Sequence, residues 1–345
     1  MKKNSIIIPH YNGKKILFRC IKSIKESSKI LHEIIVVDNA SSDDSISYIE
    51  QEFPDVKIIK SSVNLGYAGG CNLGAKKSSS EYLIFLNNDT IVENGWDQKL
   101  ILGFDDTNVS SVQPKIKNLS KKNHFDYAGA SGGFIDVFCY PFCRGRIFNT
   151  VEEDQGQYDS KENIFWASGA GFATKKDIFF KAGMFDTKLF AHMEEIDYHW
   201  RCQMMGYKII VCPESVIFHE GGATLSYESY KKTYLNHRNS MILFLTNHNL
   251  IKCLYLLFPR FFLQLVSIIR DFLLIKPGHA IAQIASLISL FFNISYLIDK
   301  RKKNKLIKLS DANINGIYNR SIVIDYFIFN TKEFSKLNPL DLRAD

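Results

Sequence analysis

Short apolar runs alternate with amphipathic segments along the first ninety residues. Four runs have the length of a buried strand: residues 5–8, 33–37, 56–59 and 82–86. Apolar side chains recur at helical spacing between them, which predicts helices over 15–26, after a cap at Ser41 or Ser42, and over 68–79. Because strands that alternate with helices favour right-handed βαβ units, we predict an α/β, Rossmann-like fold with a mostly parallel sheet flanked by helices.

The pattern changes after residue 160 and again after residue 230. The second part predicts a strand and tight turn over 165–173, a helix over 194–205 and strands over 208–222. From residue 231, long apolar stretches are broken by single charges. We therefore expect one large domain over 1–235, made of the halves 1–115 and 116–235, and a helical region over 236–345.

Polar residues follow three of the predicted strands at the point where each strand ends. They form the segments Pro9–Gly13, Asp38-Asn39 and Asn87-Asn88-Asp89. Ligands of open parallel sheets bind beyond the carboxyl ends of the strands. The coincidence of three polar strand ends predicts a binding site at this edge.

Composition places the chain among globular proteins of a reducing compartment. Of 345 residues, 46% are hydrophobic and 23% charged, which is enough to bury a core. The seven cysteines are odd in number and form no CxxC pair, which argues against a disulfide framework and a zinc ribbon. The first 13 residues contain only three consecutive apolar residues, too few for a signal peptide. We expect reduced thiols and a cytoplasmic location.

Charge is distributed unevenly along the chain. Residues 231–345 carry 17 Lys and Arg against 7 Asp and Glu, a net charge of +10, whereas residues 1–230 carry 26 against 29, a net of −3. A basic C-terminal region predicts contact with an anionic partner, either a membrane surface or a nucleic acid.

One of the polar segments and a glycine-rich stretch suggest nucleotide binding. Asp38 at a strand end can hold a ribose or base through charge-assisted hydrogen bonds, or it can simply order a turn. The glycines at 66, 69, 70 and 74 let backbone N–H groups approach a phosphate where a helix begins. Their spacing matches neither GxGxxG nor GxxxxGK[ST], so a plain glycine-rich turn fits equally well.

The acidic residues and one histidine suggest chemistry. Asp89 offers a hard oxygen suited to Mg²⁺ or Mn²⁺ on a diphosphate, where the alternative is an Asx-turn. Glu194, Glu195 and Asp197 crowd acid at a helix start, and neighbouring carboxylates raise one another's pKa toward that of a general base. His219, before a glycine pair, is a candidate metal ligand.

Seven motifs, taken together and in order, resemble one known family. They are IIIPHYNG (6–13), EIIVVDNASSDDS (33–45), NLGYAGGCNLGA (64–75), YLIFLNNDT (82–90), FWASGAGF (165–172), GMFDTKLFAHMEEIDYHWRCQMMGY (183–207) and FHEGGAT (218–224). The set covers about residues 4–240 and is similar to family 2 glycosyltransferases of the GT-A fold. Within that family it most resembles the rhamnosyltransferase-type branch, which builds bacterial O-antigens and capsules. The halves 1–115 and 116–235 would then be a nucleotide-sugar half and an acceptor and catalytic half.

The resemblance implies a role for individual residues. Glu195 would be the catalytic base, at a position where the family more often has Asp, and Asp89 and His219 would hold the metal. Asn87 stands where the family's DxD motif has its first aspartate, which puts strict metal dependence in question. The acceptor and sugar pocket would comprise Trp166, Gly169, Ala170 and Glu194. The nucleotide and donor would be held by Pro9, Tyr11, Asn12, Asp38, Asn64, Gly66, Ala68, Gly69, Gly70, Asn72, Asn87 and Asn88.

The implied activity is inverting transfer of a sugar from a nucleotide-sugar donor, assisted by Mg²⁺ or Mn²⁺. Glu195 would take the proton of the acceptor hydroxyl as that oxygen attacks the anomeric carbon. We expect dTDP-L-rhamnose as the donor, with a UDP-hexose as the alternative. The expected acceptor is a glycan or a polyprenyl-diphosphate-linked glycan of a bacterial surface polysaccharide.

The C-terminal region combines apolar runs with a basic cluster. Residues 279–298 are long enough to span a bilayer, yet their polar side chains form one stripe about 120° wide, made of Gln283, Ser286, Ser289 and Asn293. The run over 253–275 is interrupted by polar residues in the same way, and a basic cluster over 300–308 follows. We predict amphipathic helices lying in an anionic membrane surface, peripheral on the cytoplasmic face of the plasma membrane. Packing onto the rest of the chain or within a homodimer is the alternative.

Other classes of protein fit less well. A nucleotide-sugar pyrophosphorylase needs a glycine-rich N-terminal signature with Lys or Arg, which residues 6–13 lack. A non-catalytic membrane-associated scaffold of the same fold is favoured only by Asn87. The cluster over 300–308 has no interleaved aromatic residues, so we expect no nucleic-acid partner.

Overall fold

The computed structural model describes residues 4–221, 229–309 and 313–342. Its strands, in chain order, are β1 (Asn4–His10), β2 (His32–Asp38), β3 (Lys57–Lys60), β4 (Tyr82–Leu86), β5 (Thr90–Val92), β6 (Val109–Asn118), β7 (Gly133–Asp136), β8 (Pro141–Cys143), β9 (Arg146–Ile147), β10 (Thr150–Val151), β11 (Glu162–Asn163), β12 (Gly171–Lys175), β13 (Lys208–His219) and β14 (Ile317–Tyr318). The α-helices are α1 (Lys14–Ser27), α2 (Ser45–Glu52), α3 (Gly66–Lys77), α4 (Trp96–Ile101), α5 (Lys176–Lys181), α6 (Glu194–Met204), α7 (Tyr230–Asn247), α8 (Leu250–Leu273), α9 (Pro277–Phe292), α10 (Ile294–Ile307) and α11 (Ile322–Phe327).

The larger sheet has the strand order β11-β13-β6-β12-β4-β1-β2-β3, and β5 pairs with β13. Strands β4, β1, β2 and β3 run parallel, as the alternating pattern predicts. Strand β12 lies antiparallel between β4 and β6. The predicted α/β fold with a mixed, largely parallel sheet is confirmed.

Helices cover both faces of this sheet because successive strand residues point to opposite sides. Ile6 and Ile8 pack in one core with α1, whereas Ile7 packs in a second core with α3. Both faces are therefore dry, which explains why the parallel strands are continuous apolar runs rather than alternating ones.

The C-terminal region returns to the first part of the chain. Strand β14 joins a smaller sheet of order β10-β9-β8-β7-β14 and runs parallel to β7. Helix α7 passes through residue 235 without a break. A domain boundary at that position remains a prediction.

Residues 279–298 do not form the single helix that the sequence predicts. Helix α9 ends at Phe292 and α10 begins at Ile294, with a bend of 73° between them. The polar stripe of α9 faces the protein, since Gln283 and Ser286 are completely buried. The polar stripe therefore faces the protein interior, as in the packing alternative, and the apolar face of the helix points outward. In the described residues, α8 is long and apolar enough to cross a membrane, as is the bent pair α9 and α10 if counted as one span.

Candidate active site

The ends of β1, β2 and β4 meet at one edge of the sheet. Asn88, after β4, places its side-chain Nδ2 2.8 Å from His10 Nδ1, and His10 Nε2 lies 2.9 Å from Ser45 Oγ at the start of α2. Burial lowers the pKa of His10 to about 4, so the imidazole is neutral and acts as a connector. Asn88, assigned by resemblance to the nucleotide, is itself buried in this chain of polar groups.

Asn12 and Asp38 organise the turn after β2. The Asn12 side-chain Oδ1 accepts the N–H of Ser42 at 2.8 Å, and Asp38 Oδ1 accepts the N–H of Ser41 at 2.8 Å. Asn12 has a left-handed backbone, with φ of 55°. Both residues lie at the predicted edge, close to the 40%-exposed ring of Tyr11.

The glycines of α3 serve close packing. A Cβ on Gly70 would lie 3.2 Å from the Cβ of Pro9, and one on Gly66 would lie 2.5 Å from the carbonyl oxygen of Phe190. Two N–H groups at the start of α3 are already bonded, from Gly66 to Asn64 Oδ1 and from Ala68 to the Phe190 carbonyl. Helix α3 is thus held between the sheet edge and the segment before α6.

Asn72 also bonds to the protein rather than facing an open cleft. Its side chain donates to the carbonyl of Phe185 at 2.8 Å and accepts the N–H of Phe185 at 3.1 Å. Gly69 packs against the Leu65 side chain. These two residues therefore fix the position of α3, and any effect they have on a bound nucleotide would be indirect.

Asp89 and His219 form a buried pair across the site. Asp89 Oδ1 lies 3.1 Å from His219 Nε2, and His219 Nδ1 lies 2.9 Å from Asp126 Oδ1. Burial opposes the charge on His219, but the two carboxylates raise its pKa to about 10. Asn87 Nδ2 lies 3.3 Å from the same Nε2.

The pair fits a divalent cation that a diphosphate also ligates. Asp89 Oδ1 and His219 Nε2 lie 3.1 Å apart, close enough to share one ion, and the Asp89 oxygen is buried without a hydrogen-bond partner among the described residues. Asp126 contacts the opposite nitrogen, so it orients the ring instead of binding the ion. Over the described ranges there is no group of three or more His, Cys, Asp and Glu that could hold a metal alone, so the substrate would complete the shell.

Glu194 and Glu195 begin α6, and their carboxyl groups are buried together. Burial, and then the charge of Glu195, raises the pKa of Glu194 well above its usual value. Burial also raises the pKa of Glu195, to about 7, against hydrogen bonds from the Gly169 N–H and from the Glu194 side chain. Burial therefore favours the neutral acid at Glu194, and Glu195 is the easier of the two to ionise.

The segment 168–171 connects this acidic pair to the turn after β4. The Gly169 N–H faces the Glu195 carboxyl group and lowers its pKa, and the Gly169 carbonyl accepts the Tyr67 hydroxyl at 2.7 Å. The next carbonyl, of Ala170, accepts the N–H of Asn87 at 3.1 Å and the hydroxyl of Thr90 at 3.2 Å. Four residues thus fix Glu195 relative to the turn that carries Asp89.

Trp166 lies beneath this segment rather than along a cleft. Its indole is 5% exposed and donates to the Phe134 carbonyl at 2.9 Å. A Cβ on Gly133 would fall 2.2 Å from the ring, so the indole fills the space that this glycine leaves. Trp166, which the resemblance places in the acceptor and sugar pocket, is a core side chain in this structure.

Sequence reasoning missed two residues that organise the site. Asp126 orients His219, but it lies in a stretch without a recognisable pattern. Asn239 on α7 donates to the carbonyls of Leu189, Ala191 and His192, at 3.0, 3.1 and 2.7 Å. The sequence offers no signal for Asn239, because its neighbours on α7 include Asn236, His237, Arg238 and Ser240 and do not indicate that this amide is buried.

The chain resembles curated glycosyltransferases over most of its length. It is 24% identical to the low-salt glycan biosynthesis hexosyltransferase Agl10 of Haloferax volcanii, over 69% of this chain and 74% of that protein. It is 23% identical to the dTDP-rhamnosyl transferase RfbF of Shigella flexneri, over 71% of this chain and 80% of that protein. It is 31% identical to the GalNAc(5)-diNAcBac-PP-undecaprenol beta-1,3-glucosyltransferase of Campylobacter jejuni, over 43% of this chain and 55% of that protein.

Solved structures share the fold. GalNAc-T7 with UDP, GalNAc and Mn²⁺ superposes with a TM-score of 0.56 at 17% identity, over 71% of this chain and 48% of that one, so this chain spans about half its length. The Pyrobaculum calidifontis mannosyltransferase PcManGT, in complex with GDP-Man and Mn²⁺, gives 0.50 at 14% identity, over 88% of this chain and 84% of that one. A family model described as Glycosyl transferase family 2 matches residues 5–180, just over half the chain and most of the larger sheet. The chain belongs to this family and has its GT-A fold.

Proposed function

We propose that the chain is an inverting glycosyltransferase that moves L-rhamnose from dTDP-L-rhamnose to a glycan or polyprenyl-diphosphate-linked acceptor of a bacterial surface polysaccharide. The observation that carries the proposal is the segment 168–171, whose Gly169 N–H faces Glu195 and whose Ala170 carbonyl accepts the N–H of Asn87 in the turn of Asp89. Direct displacement needs a base and a leaving-group site held at a fixed separation. One short segment provides that separation here.

Glu195 acts as the base in this proposal. With a pKa of about 7, a large fraction of the Glu195 side chain is a carboxylate near neutral pH, and this carboxylate is basic enough to accept the proton of the acceptor hydroxyl. The acceptor hydroxyl loses its proton to Glu195 while its oxygen attacks the anomeric carbon from the side opposite the nucleoside diphosphate. Glu194 keeps its own proton and stabilises the Glu195 carboxylate until that step.

Asp89 and His219 would hold Mg²⁺ or Mn²⁺ against the diphosphate. When bound, such an ion neutralises the charge that builds on the leaving group. His219 must give up its proton to become a ligand, and Asp126 fixes the imidazole in the orientation that presents Nε2. The Mn²⁺ described with GalNAc-T7 and PcManGT supports a divalent ion.

The nucleoside would lie over the ends of β1 and β2. Asp38 already uses Oδ1 for the Ser41 N–H, which holds the carboxylate rigid and leaves Oδ2 for N3–H of thymine or uracil. The half-exposed Tyr11 ring would cover the base. Asp38 alone does not separate dTDP from UDP donors.

The choice of L-rhamnose has two supports. RfbF of Shigella flexneri, a dTDP-rhamnosyl transferase, is similar over most of both chains. The segment 165–172 presents the part-exposed, side-chain-free Gly169, and such a small apolar position suits a 6-deoxy sugar whose C6 is a methyl group. An apolar wall prefers the deoxy sugar by only about 1–3 kcal/mol per group, so a UDP-hexose donor is the second candidate.

The test is competition between donors for one acceptor. The full-length protein receives a polyprenyl-diphosphate-linked glycan with dTDP-L-rhamnose and a UDP-hexose together, and product mass identifies the sugar transferred. We expect a deoxyhexosyl product. A hexosyl product without turnover of dTDP-L-rhamnose would refute the donor and leave the glycosyltransferase assignment intact. No transfer from any nucleotide sugar would favour the scaffold alternative.

The same protein would work at the cytoplasmic face of the membrane, and the helices α8 and α9 support this. Their interior is polar: Gln264 donates to Gln283 at 2.8 Å, and Gln283 donates to Asp271 at 2.7 Å. Arg260 is completely buried and donates to the Tyr140 hydroxyl at 2.6 Å. Polar groups therefore lie inside this helical layer.

The outer surface of the same layer is apolar. Its exposed side chains, named below as the outer face, are Leu250, Ile251, Leu254, Tyr255, Phe258, Phe262, Val266, Ile269, Leu273, Ile281, Ile288, Phe291 and Phe292. A patch of this size on a soluble surface marks a partner or a membrane. The nearby lysines 302, 303, 305 and 308 are exposed and favour anionic lipid, so we choose the membrane over a homodimer. A lipid-linked acceptor would then reach the site from the surface on which the protein lies.

A further inference from the structure

The basic cluster over 300–308 does not face solvent as a whole. Lys300 is buried, and Arg301 donates to the carbonyls of Leu245 and His248. Tyr296, Lys300 and Asn304 recur every four residues and therefore share one face of α10. That face packs toward α6, the helix that begins with Glu194 and Glu195.

Lys300 joins two carboxylates that lie on either side of the acidic pair. Its Nζ is 2.7 Å from Asp186 Oδ2 and 2.9 Å from Asp197 Oδ2. Tyr296 donates to the same Asp186 oxygen at 2.6 Å. Asp197 stands two residues after Glu195 and is also paired with Arg201 at 3.0 Å. One ammonium group thus ties α10 to the chain before and after the base.

The residues between these two carboxylates have a costly backbone. Phe190, His192 and Met193 have φ of 66°, 67° and 72°, in the left-handed region that side chains other than glycine rarely adopt. Such conformations persist only where the surroundings over-determine them. Asn239 holds the middle of this segment through three carbonyls, and Lys300 holds its ends.

The strained segment contacts both halves of the site. Its Phe190 carbonyl accepts the N–H of Ala68 at the start of α3, and its last residue, Met193, leads directly into Glu194 and Glu195. A shift of this segment would therefore move the base relative to the donor-side helix.

We propose that Lys300 is a positioning residue for the transfer reaction, which fixes Glu195 by clamping Asp186 and Asp197 around the strained segment 187–193. The inference rests on the proposed function in that Glu195 is the base. Lys300 touches no substrate in this scheme. Because α10 follows directly from α9, the clamp also connects the outer face to the base.

The experiment compares four variants of the full-length protein. Lys300→Met removes the ammonium and keeps most of the side-chain volume, and Lys300→Arg restores a cation. Asp186→Asn combined with Lys300→Met restores charge balance but not the connection, since Asp197 keeps Arg201. Lys302→Met, at an exposed position on the same helix, is the matched control.

Two measurements are made on each variant. The first is hydrogen–deuterium exchange of peptides covering 187–195, and the second is kcat and KM for nucleoside diphosphate release from the donor that the wild-type protein uses. For Lys300→Met and for the double variant we expect exchange in 187–195 to be about tenfold faster, with the sheet unchanged. We expect kcat to fall on the order of 10- to 100-fold and the donor KM to stay within about threefold. Lys300→Arg should recover most of the rate, and Lys302→Met should match wild type.

Three results would overturn the proposal. They are wild-type exchange in 187–195 for Lys300→Met, wild-type turnover of the charge-balanced double variant, and faster exchange throughout the protein, which would mean a purely structural role. Failure of the wild-type protein to use dTDP-L-rhamnose would count against the donor only, since the exchange measurement judges the clamp without turnover.

Discussion

Two adjacent carboxyl groups at the start of α6 differ because their surroundings differ. Glu194 is almost fully buried and is pushed toward the neutral acid, whereas the Gly169 N–H and the Glu194 side chain partly offset the effect of burial on the pKa of Glu195. Pairs of titratable groups whose environments push their pKa values apart are the usual source of acid and base roles. The sequence shows the EE pair, but only the position of Gly169 distinguishes its members.

Glu195→Gln should lower kcat on the order of 10²- to 10⁴-fold because the amide cannot accept a proton. Binding of dTDP or UDP with Mn²⁺, followed by calorimetry, should change little. Glu194→Gln is the comparison variant, because it keeps a neutral polar side chain beside Glu195, and it should retain more activity than Glu195→Gln. Equal losses in the two variants would contradict the division of roles.

The pH dependence follows from the direction of the Glu195 shift. The base works as a carboxylate, and burial raises its pKa to about 7, so activity should be lost as pH falls through that value. Initial rates at low donor concentration should fall about tenfold per pH unit on the acidic side and level off above about pH 8. A flat profile down to about pH 5 would show that Glu195 does not limit the reaction.

Asp89 and His219 predict dependence on a divalent ion. EDTA should abolish turnover, Mg²⁺ or Mn²⁺ should restore it, and Asp89→Ala should not recover in excess metal. Asp126→Asn should weaken metal affinity about 10- to 100-fold, because Asp126 only orients His219. The apparent metal affinity is measured by titrating Mn²⁺ into each EDTA-treated variant with donor present. Full activity in EDTA would mean that Asn87 marks a metal-independent enzyme.

The sequence predicts correctly those elements that are buried on all sides. It does not predict the orientation of a helix that has one face toward the protein and the other toward the outside. Strand β4 matches its predicted span of 82–86 because an apolar run buried on both faces has a single interpretation. In α9 the pattern gives a polar stripe through Gln283 and Ser286 but does not say whether the stripe faces water or protein. The contact of Gln283 with Gln264, on another helix, decides this, and such contacts between distant residues leave no local pattern.

Helix α3 offers a test of the glycine pattern at the scale of an element. A Cβ at Gly74 would lie 2.4 Å from Ile7 Cγ2 on β1, so Gly74→Ala should push the helix from the sheet. We expect a loss of about 1–3 kcal/mol in the free energy of unfolding, the usual cost of overpacking. Urea unfolding measures it, with Lys76→Ala at an exposed position of the same helix as the control. An unchanged midpoint would indicate that α3 has room to move.

At the scale of the whole molecule, the catalytic part and the helical layer place their polar and apolar side chains in opposite ways. The two cores of the larger sheet are apolar and dry, whereas the layer of α8 and α9 buries Arg260, Gln264 and Gln283 and exposes its apolar side chains. A buried polar network is stable only while every member is hydrogen-bonded. An apolar surface as large as the outer face favours a partner that covers it. Lipid would cover the outer face and leave the buried network intact.

We therefore expect the full chain to bind vesicles peripherally through the outer face. Each of the exposed lysines on α10 contributes about 1 kcal/mol near an anionic surface, so binding should be stronger with phosphatidylglycerol than with phosphatidylcholine alone. Phe258→Asp, in the middle of the outer face, should reduce flotation with vesicles. Leu102→Asp, at an exposed apolar position of the catalytic part, should not. High salt or alkaline carbonate should release the bound protein if its attachment is peripheral, because such attachment depends on surface contacts alone. Retention after both washes would mean that α8 crosses the bilayer. A protein that is dimeric in solution and does not bind vesicles would assign the outer face to a second copy of the chain.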